Sequence, residues 1–267
     1  MKTDFGSLCL KVMSFNIRYG LAEDGINRWD NRKPLVLDRI RAFEPDLLGL
    51  QECRDDAQAA YLKTNLPDYH FHGVRRGGEG ETALEMAPAL YRNPRFRVGR
   101  SGHFWLSDTP EIPGSQSWDS LFPRTATWAE LEDRETGRLV VFLNTHFDFR
   151  PVSIEKSAQL LRRWIERTVP ERPVILTGDF NAGKNSAAYR HLTGDGLLLD
   201  AYRQAHPTGS DEATFHAYGQ PGQLAPIDWL LVSEHFAVVE AGIDRYHEGS
   251  LFPSDHYPVT AVLEWRT

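Results

Sequence analysis

Four apolar runs of this chain end on polar side chains of the kinds that bind metal ions and transfer protons. In order along the chain, the runs lead into Asn16, Glu52, His146 and Asp179. Short apolar runs bounded by turn residues are typical of strands buried in a sheet, and such a strand delivers its last residues to the sheet edge. The pattern predicts a chain built on buried strands whose polar ends lie at a common edge.

Two further apolar runs begin, rather than end, on polar groups. Asp228 opens the run over residues 229–232, and Asp255 and His256 precede the run over residues 259–263. In an antiparallel or mixed sheet, the start of one strand lies beside the end of its neighbour. We therefore expect all six polar termini to line one pocket.

Each polar terminus also has a simpler interpretation when it is taken alone. An aspartate after a strand is most often a turn former or a helix cap, and a Gly-Asp pair is common turn chemistry. The set is more informative than its members, because Asn, Glu, His and Asp together suit a divalent cation and a phosphate group. The sequence therefore favours a phosphate-handling site over six independent turns.

Two segments have the spacing of amphipathic helices. Apolar residues recur at i, i+4 and i+7 in the segment after Pro34, and the same spacing recurs over residues 153–169. Strands and helices alternate in the first half of the chain and strands crowd in the second, which predicts a layered α/β protein with mixed sheets. Because the polar termini extend from Asn16 to His256, one domain over residues 1–267 is simpler than two domains that share a site.

The formal net charge of −7 bears on the partners of the protein. Tight binding of a nucleic-acid backbone usually requires a basic face that displaces counterions. The nearest candidates for such a face are Arg75, Arg76, Arg92, Arg95, Arg97 and Arg100. The last four are better explained as a solvated strand face, so the composition favours a small-molecule substrate and leaves nucleic acid as an alternative.

The two cysteines and the N-terminus suggest a compartment. Cys9 and Cys53 are expected to be buried, reduced thiols of a cytosolic protein, with a disulfide between neighbouring strands as a minor alternative. The sequence contains neither an apolar segment of signal-peptide length before the first strand nor the roughly 18 apolar residues of a membrane span. We expect a cytoplasmic monomer, although a removed signal sequence would leave no trace.

Six short motifs occur in an order that resembles a known family. They are Ser14-Phe15-Asn16, Leu50-Gln51-Glu52, Asn144-Thr145-His146, Gly178-Asp179-Phe180-Asn181, Ile227-Asp228 and Ser254-Asp255-His256. The chain resembles the endonuclease/exonuclease/phosphatase superfamily, which includes deoxyribonuclease I-like nucleases, abasic-site endonucleases, inositol-polyphosphate 5-phosphatases and neutral sphingomyelinases. The resemblance extends over residues 12–263. It implies a four-layer α/β sandwich in which two facing mixed β-sheets are flanked by helices.

The resemblance also implies a metal site. Glu52 is the expected ligand of one or two Mg²⁺ or Mn²⁺ ions, because Mg²⁺ prefers one or two carboxylates and keeps several waters. Asp255 and Asn16 are its expected companions.

The resemblance assigns separate catalytic roles to five residues. Asp179 is expected to orient and deprotonate the attacking water, and the amide of Asn181 to donate to a phosphate oxygen. Asp228 is expected to pair with His256 and to favour its protonated form, and His146 to contact the phosphate from the facing sheet.

One departure from the family concerns the substrate. Repair-type nucleases carry an acidic residue two positions after the first asparagine, whereas this chain has Arg18. Arg18 either binds a second anionic group or forms a surface salt bridge, and its presence weakens a close analogy to abasic-site endonucleases.

Other substrate contacts are predicted around the same edge. Arg124 and Arg150 are candidates for anion binding, with Asp148 beside the latter, and Tyr91 is a candidate pocket wall, although aromatic residues in strands more often belong to the core. The loop over residues 206–226 is long enough to shape the substrate site.

The sequence thus predicts a divalent-metal-dependent hydrolase of phosphoester bonds, acting on a small phosphorylated molecule or a phosphodiester. A nuclease that uses the same site on DNA or RNA is the first alternative. A catalytically silent binding module is the second.

Overall fold

Strands crowd over residues 69–146 and again over residues 228–265, and they alternate with helices elsewhere, so the crowding is not confined to the second half as predicted. The computed structural model describes residues 9–220 and 225–266. Its strands are β1 (Cys9–Asn16), β2 (Leu47–Gln51), β3 (Cys53–Arg54), β4 (Tyr69–His72), β5 (Glu85–Met86), β6 (Ala89–Arg92), β7 (Phe96–Trp105), β8 (Thr125–Asp133), β9 (Leu139–His146), β10 (Val174–Asp179), β11 (Leu199–Asp200), β12 (Asp228–Val232), β13 (Phe236–Ile243) and β14 (Val259–Trp265). Its α-helices are α1 (Trp29–Phe43), α2 (Ala57–Asn65), α3 (Pro151–Thr168), α4 (Ala187–Thr193) and α5 (Ala201–Ala205).

Most strands of the described chain belong to two six-stranded sheets. The first has the order β13-β14-β1-β2-β6-β4, and the second has the order β11-β12-β10-β9-β8-β7. Each sheet contains one parallel pair, β1 with β2 and β9 with β10, among antiparallel neighbours. Both sheets are therefore mixed, as predicted, and the parallel pairs bring Asn16, Glu52, His146 and Asp179 to neighbouring strand ends.

The layers follow from the alternation of side chains along the central strands. Leu10 and Val12 of β1 face β9 and its neighbours across an apolar core between the sheets, whereas Met13 and Phe15 face α1 and α2. On the second sheet, Leu143 of β9 packs against α3 and α4. Each fully buried leucine of this kind contributes roughly 1.5–3 kcal/mol. Helix, sheet, sheet and helix form the four-layer α/β sandwich that the resemblance implied.

Helix α1 begins earlier than the sequence pattern predicts. The helix starts at Trp29 and contains Pro34 in its interior. Its first turn is held by the buried guanidinium of Arg32, which donates to the carbonyl oxygens of Arg18 (2.8 Å), Pro253 (3.1 Å) and Ile17. These tertiary hydrogen bonds outweigh the usual preference of proline for a helix start. Helix α3 begins at Pro151, two residues ahead of the predicted segment.

A buried polar cluster joins the two sheets just below the strand ends. Gln51 Nε2 donates to Asn144 Oδ1 (2.7 Å), and Asn144 Nδ2 donates to the carbonyl oxygens of Leu50 (2.7 Å) and Pro88 (2.9 Å). A Cβ atom at Gly49 would lie 2.1 Å from Thr177 Oγ1, so only glycine permits this approach. The cluster fixes the strand that precedes Glu52 relative to the strand that ends at His146.

Two smaller sequence expectations concern thiols and membranes. Cys9 and Cys53 are both free and buried, as predicted. Among the helices of the described ranges, none is both long enough and apolar enough to cross a bilayer.

Candidate active site

Four of the six polar strand termini line one pocket, a cavity of about 360 Å³, and the other two lie directly behind it. Of the predicted residues, the following line it: Arg18, Glu52, Arg124, His146, Asp179, Asn181, Asp255 and His256. Asn16 and Asp228 are buried directly behind these residues and contact them. Six motifs that are far apart in sequence therefore meet at one place.

Asn16 bridges the two carboxylates at the centre of the site. Its Nδ2 donates to Glu52 Oε1 (3.0 Å) and to Asp179 Oδ2 (2.9 Å), while its Oδ1 accepts from the backbone N–H of Arg18 (2.9 Å). An amide can offer a metal ion only its oxygen, which has two lone pairs and accepts one hydrogen bond here. The nitrogen of Asn16 orients both carboxylates, and metal binding by its oxygen stays a prediction.

Glu52 is held in an ionised state and in an unusual backbone conformation. Its φ of 56° lies in the left-handed region, which is uncommon outside glycine, and its Oε2 accepts from the N–H of Tyr19 (2.8 Å). Burial alone would raise the pKa of Glu52, but Arg18 and the hydrogen bond from Asn16 together hold that pKa below its usual value. The carboxylate is therefore charged at neutral pH.

The donor set around Glu52 fits a hard divalent ion. Oxygen atoms of Glu52 and Asp179 and a ring nitrogen of His256 all lie within 4.8 Å of one another. Two carboxylates are the ligand number that Mg²⁺ or Mn²⁺ usually takes from a protein. Asp255, whose Oδ2 lies 3.5 Å from Arg18 Nη1, lines the same pocket.

His256 and Asp228 form a buried pair. His256 Nδ1 donates to Asp228 Oδ2 at 2.8 Å, which leaves Nε2 directed at Asp179 Oδ2, 3.7 Å away. Burial lowers the pKa of His256, but the charges of Asp228 and Asp179 outweigh it and raise that pKa to about 10. The imidazole is thus a cation with a free N–H donor, which suits a phosphate oxygen better than a metal ion.

Asp179 accepts hydrogen bonds on both of its oxygens. The N–H of Asn181 donates to Oδ1 (2.9 Å), and Asn16 donates to Oδ2. Burial, followed by the repulsion of Asp228, raises the pKa of Asp179 to about 7. Asn181, with a φ of 49°, turns its side chain so that Nδ2 also donates to the carbonyl of Phe147 (2.9 Å).

His146 is neutral. Arg124 Nη1 donates to His146 Nδ1 (3.0 Å), and the other ring nitrogen, Nε2, lies 3.2 Å from Asn181 Nδ2 and 3.5 Å from Asp179 Oδ2. Burial, together with the nearby charges of Arg124 and Arg76, lowers the pKa of His146 well below its usual value. His146 therefore presents a neutral ring next to Asn181 and Asp179.

Arg124 is a buried cation without a carboxylate partner among the described residues. It is 6% exposed, its Nε has no hydrogen-bond partner, and no described carboxylate lies within ion-pair distance of its guanidinium. A buried charge that is not compensated costs several kcal/mol of stability. Because Arg124 lines the pocket, this cation is poised to bind an anion there.

Three predicted substrate contacts lie elsewhere. Asp148 is fully buried and accepts hydrogen bonds from the N–H groups of Leu121 (2.9 Å), Phe122 (3.2 Å) and Arg150 (2.9 Å), so it anchors a loop. The Arg150 side chain is exposed, and Tyr91 is packed in the core between the sheets. Neither is among the described residues that line the pocket. Tyr91 lies away from it because β6 pairs Tyr91 with Leu47, at the end of β2 that is far from Glu52.

The hydrogen bonds of Asp148 predict that truncation of its side chain destabilises the protein. In Asp148→Ala, three backbone N–H groups lose their buried acceptor, and we expect the free energy of unfolding to fall by about 2–4 kcal/mol. Urea unfolding followed by circular dichroism measures this. Glu111→Ala, a substitution at an exposed residue between β7 and β8, should change the free energy of unfolding by less than about 0.5 kcal/mol. Equal stability of both variants would contradict the anchoring role.

The sequence interpretation missed several residues of the pocket: Tyr19, Arg76, Thr82, Glu85, Phe122 and Phe215. Glu85 had a usable signal, because it is a lone charge within the apolar segment over residues 83–87. Arg18 forms the salt bridge of one predicted alternative, with Asp24 (3.0 Å), and its side chain also lines the pocket, where binding of a second anionic group stays a prediction. In the 206–226 loop, Phe215 lines the pocket beside His256, and residues 221–224 lie outside the described ranges.

Comparison with known proteins gives consistent relatives. The profile of the Endonuclease/Exonuclease/phosphatase family matches residues 13–256. A crystal structure of an endonuclease/exonuclease/phosphatase from Bacteroides vulgatus is 35% identical, with a TM-score of 0.88 and coverage of 97% of this chain and 99% of that chain. A mannosyl-6-phosphatase from Bacteroides thetaiotaomicron is 30% identical, with a TM-score of 0.86 and coverage of 96% and 100%.

A more distant relative is named as a nuclease. The CCR4-Not complex 3'-5'-exoribonuclease subunit Ccr4 of Emericella nidulans is 23% identical over 334 residues, which cover 91% of this chain. The chain spans 49% of the length of that relative. Phosphatases and nucleases therefore both occur among the similar proteins, and both classes hydrolyse phosphoester bonds.

Proposed function

The chain belongs to the endonuclease/exonuclease/phosphatase family, and on this premise we propose that it is a divalent-metal-dependent phosphoesterase that hydrolyses a small phosphorylated molecule. The observation that carries the proposal is the buried, uncompensated guanidinium of Arg124 beside a cluster of carboxylates and histidines. Arg124 supplies the charge that a phosphoryl group needs, and the cluster supplies a base and a metal site.

Different residues would activate the attacking water and bind the phosphoryl group. Asp179 would hold the attacking water and take up its proton, because both of its oxygens are oriented by neighbouring N–H groups. Protonated His256, fixed by Asp228, would donate to a phosphoryl oxygen. Arg124 and the side chain of Asn181 would bind the remaining phosphoryl oxygens.

Glu52 would hold the metal ion, with Asp179 and Asp255 in the same pocket. A bound divalent ion supplies Lewis-acid stabilisation of the charge that develops on the phosphoryl oxygens. Mg²⁺ and Mn²⁺ both suit a site of carboxylate oxygens. Asn16 would support this site by setting the orientation of the Glu52 carboxylate.

A small substrate is favoured by the charges around the pocket. The arginines that might have formed a basic face are largely neutralised: Arg75 pairs with Asp55, Arg97 with Glu132, and Arg100 with Glu130. Such pairs leave little positive charge to displace counterions from a long nucleic acid. The mannosyl-6-phosphatase among the similar structures supports a small phosphate ester as substrate.

A panel of substrates tests the proposal. Wild-type protein with Mg²⁺ or Mn²⁺ should hydrolyse at least one of phenyl phosphate, bis-para-nitrophenyl phosphate, hexose phosphates, inositol phosphates or a phospholipid headgroup faster than the Asp179→Asn variant. If only oligonucleotides are cleaved, with a rate that falls steeply with salt, the nuclease alternative suggested by the Ccr4 relative is correct. If no phosphoester is cleaved above the variant background, the enzymatic proposal is wrong.

Glu52 predicts a change in metal dependence. In Glu52→Gln, the loss of the charged ligand should raise the Mg²⁺ concentration for half-maximal activity at least about tenfold. Calorimetric titration of Mn²⁺ into both proteins measures the same loss without an assay. Glu23→Gln, an exposed substitution in the segment after Arg18, should bind the ion like wild type. An unchanged titration in Glu52→Gln would remove Glu52 from the ligand set.

A further inference from the structure

A charged pair in the pocket has no part in the proposed chemistry. Arg76 Nη2 lies 3.0 Å from Glu85 Oε1, and both side chains line the pocket although they are less than a tenth exposed. Burying two charges is costly, and replacing such a pair with apolar residues is often neutral or stabilising. Stability therefore gives no reason for this pair, and its place in the pocket wall suggests contact with the substrate.

The pair is only partly satisfied by the protein. Arg76 Nε donates to the carbonyl of Thr82 (3.0 Å), whereas Glu85 Oε2 accepts no hydrogen bond from the residues of the described ranges. Burial raises the pKa of Glu85 to about 7, because Arg76 offsets only part of the lost hydration. A buried carboxylate with a free oxygen calls for a hydrogen-bond donor, and a donor without negative charge fits best beside Glu52 and Asp179.

Aromatic surface adjoins the pair. The Phe122 ring lies 4.5 Å from the Arg76 guanidinium and 5.6 Å from that of Arg124, so it connects the charged pair to the anion-binding arginine. Phe149, half exposed, lies with its ring 6.4 Å from the Phe122 ring and also lines the pocket. These rings offer an apolar face beside groups that bind hydroxyls and phosphate, and a sugar ring presents the same combination of C–H faces and hydroxyls.

We propose that Arg76 and Glu85 bind adjacent hydroxyl groups of the substrate, so that the enzyme selects phosphate esters of sugars or other polyols. One hydroxyl would donate to Glu85 Oε2, and its neighbour would accept from Arg76. This proposal rests on the proposed phosphoesterase function and adds the class of the group that carries the phosphate. An aryl phosphate leaves the pair without these hydrogen bonds, and a polar site discriminates strongly against a ligand that leaves it unpaired.

The test compares substrates that differ only in hydroxyls. In wild type, kcat/KM for at least one monodeoxy analogue of a hexose 6-phosphate should be tenfold or more below that of the parent hexose phosphate. In Glu85→Gln, which keeps the shape of the side chain, kcat/KM for the parent should fall about 10–100-fold. In the same variant, kcat/KM for the deoxy analogue should differ from that for the parent by less than threefold. Its kcat/KM for phenyl phosphate should stay within threefold of the wild-type value.

A control and two outcomes make the test decisive. Glu79→Gln, a change at an exposed residue between Arg76 and Glu85, should leave the kcat/KM ratios between these substrates as they are in wild type. Equal loss of hexose phosphate and phenyl phosphate hydrolysis in Glu85→Gln would overturn the proposal, as would a wild type that hydrolyses all deoxy analogues as well as the parent. Failure of the phosphoesterase proposal is distinguishable, because wild type would then hydrolyse none of these esters, phenyl phosphate included.

Discussion

Asp179→Asn is expected to lower kcat by about 1,000-fold, with little change in KM. A neutral amide cannot take up the proton of the attacking water, and general-base catalysis of this kind contributes roughly 10²–10⁴-fold. The amide would also place a donor where the donors of Asn16 and Asn181 already converge. Steady-state kinetics on the best ester of the substrate panel measures the effect.

The control for this variant is the same change at an exposed aspartate. Asp195, whose side chain is 87% exposed, lies on the surface and pairs with Arg162. Asp195→Asn should keep kcat within about twofold of wild type, because surface ion pairs contribute little. Circular dichroism should show that both variants are folded. A kcat for Asp179→Asn within tenfold of wild type would show that another group accepts the proton.

Arg124→Met should abolish most activity and make the protein more stable. Removing the cation that binds the phosphoryl group should lower kcat/KM by about 100–1,000-fold. Because the guanidinium is buried without an ion-pair partner in the described part of the chain, the apolar replacement should raise the free energy of unfolding by roughly 1–3 kcal/mol in buffer without phosphate. Urea unfolding measures the stability.

The response of the unfolding midpoint to inorganic phosphate is a second measurement on the same variant. Phosphate that binds the folded wild type should raise its unfolding midpoint, and the gain should be lost in Arg124→Met. Arg100→Met is the matched control, since Arg100 is exposed and pairs with Glu130, and it should show neither the gain in stability nor a loss of the phosphate response. A destabilised Arg124→Met that still responds to phosphate would contradict the anion-binding role.

The strand ends and their chemistry could be predicted from the sequence. Strands β1, β9 and β10 end at Asn16, His146 and Asp179, and β12 begins at Asp228, as the apolar runs indicated. These boundaries are local, because a strand stops where its apolar run meets a polar or turn residue. The order of the motifs added the family and the four-layer fold, which local patterns could not supply.

The contacts of individual side chains could not be predicted. Asn16, predicted to bind metal, turns its amide nitrogen toward two carboxylates, and Asp148, predicted to touch substrate, accepts hydrogen bonds that anchor a loop. Tyr91 has the alternation of a half-buried strand residue, yet it faces the second sheet. An alternating pattern tells which face of a strand a residue occupies, but not what lies opposite.

By itself, the sequence determined the identity of the chemical groups, their positions at strand ends and the class of reaction they suit. Only the tertiary structure decided which groups meet: Gln51 with Asn144 across the sheets, Arg124 with His146, and Arg76 with Glu85. Each of these contacts depends on how two layers or two loops stack, and stacking is set by the shape and volume of the whole core. The six motifs therefore indicated hydrolysis of a phosphoester, whereas the side chains that surround the rest of the substrate became visible only in the assembled pocket.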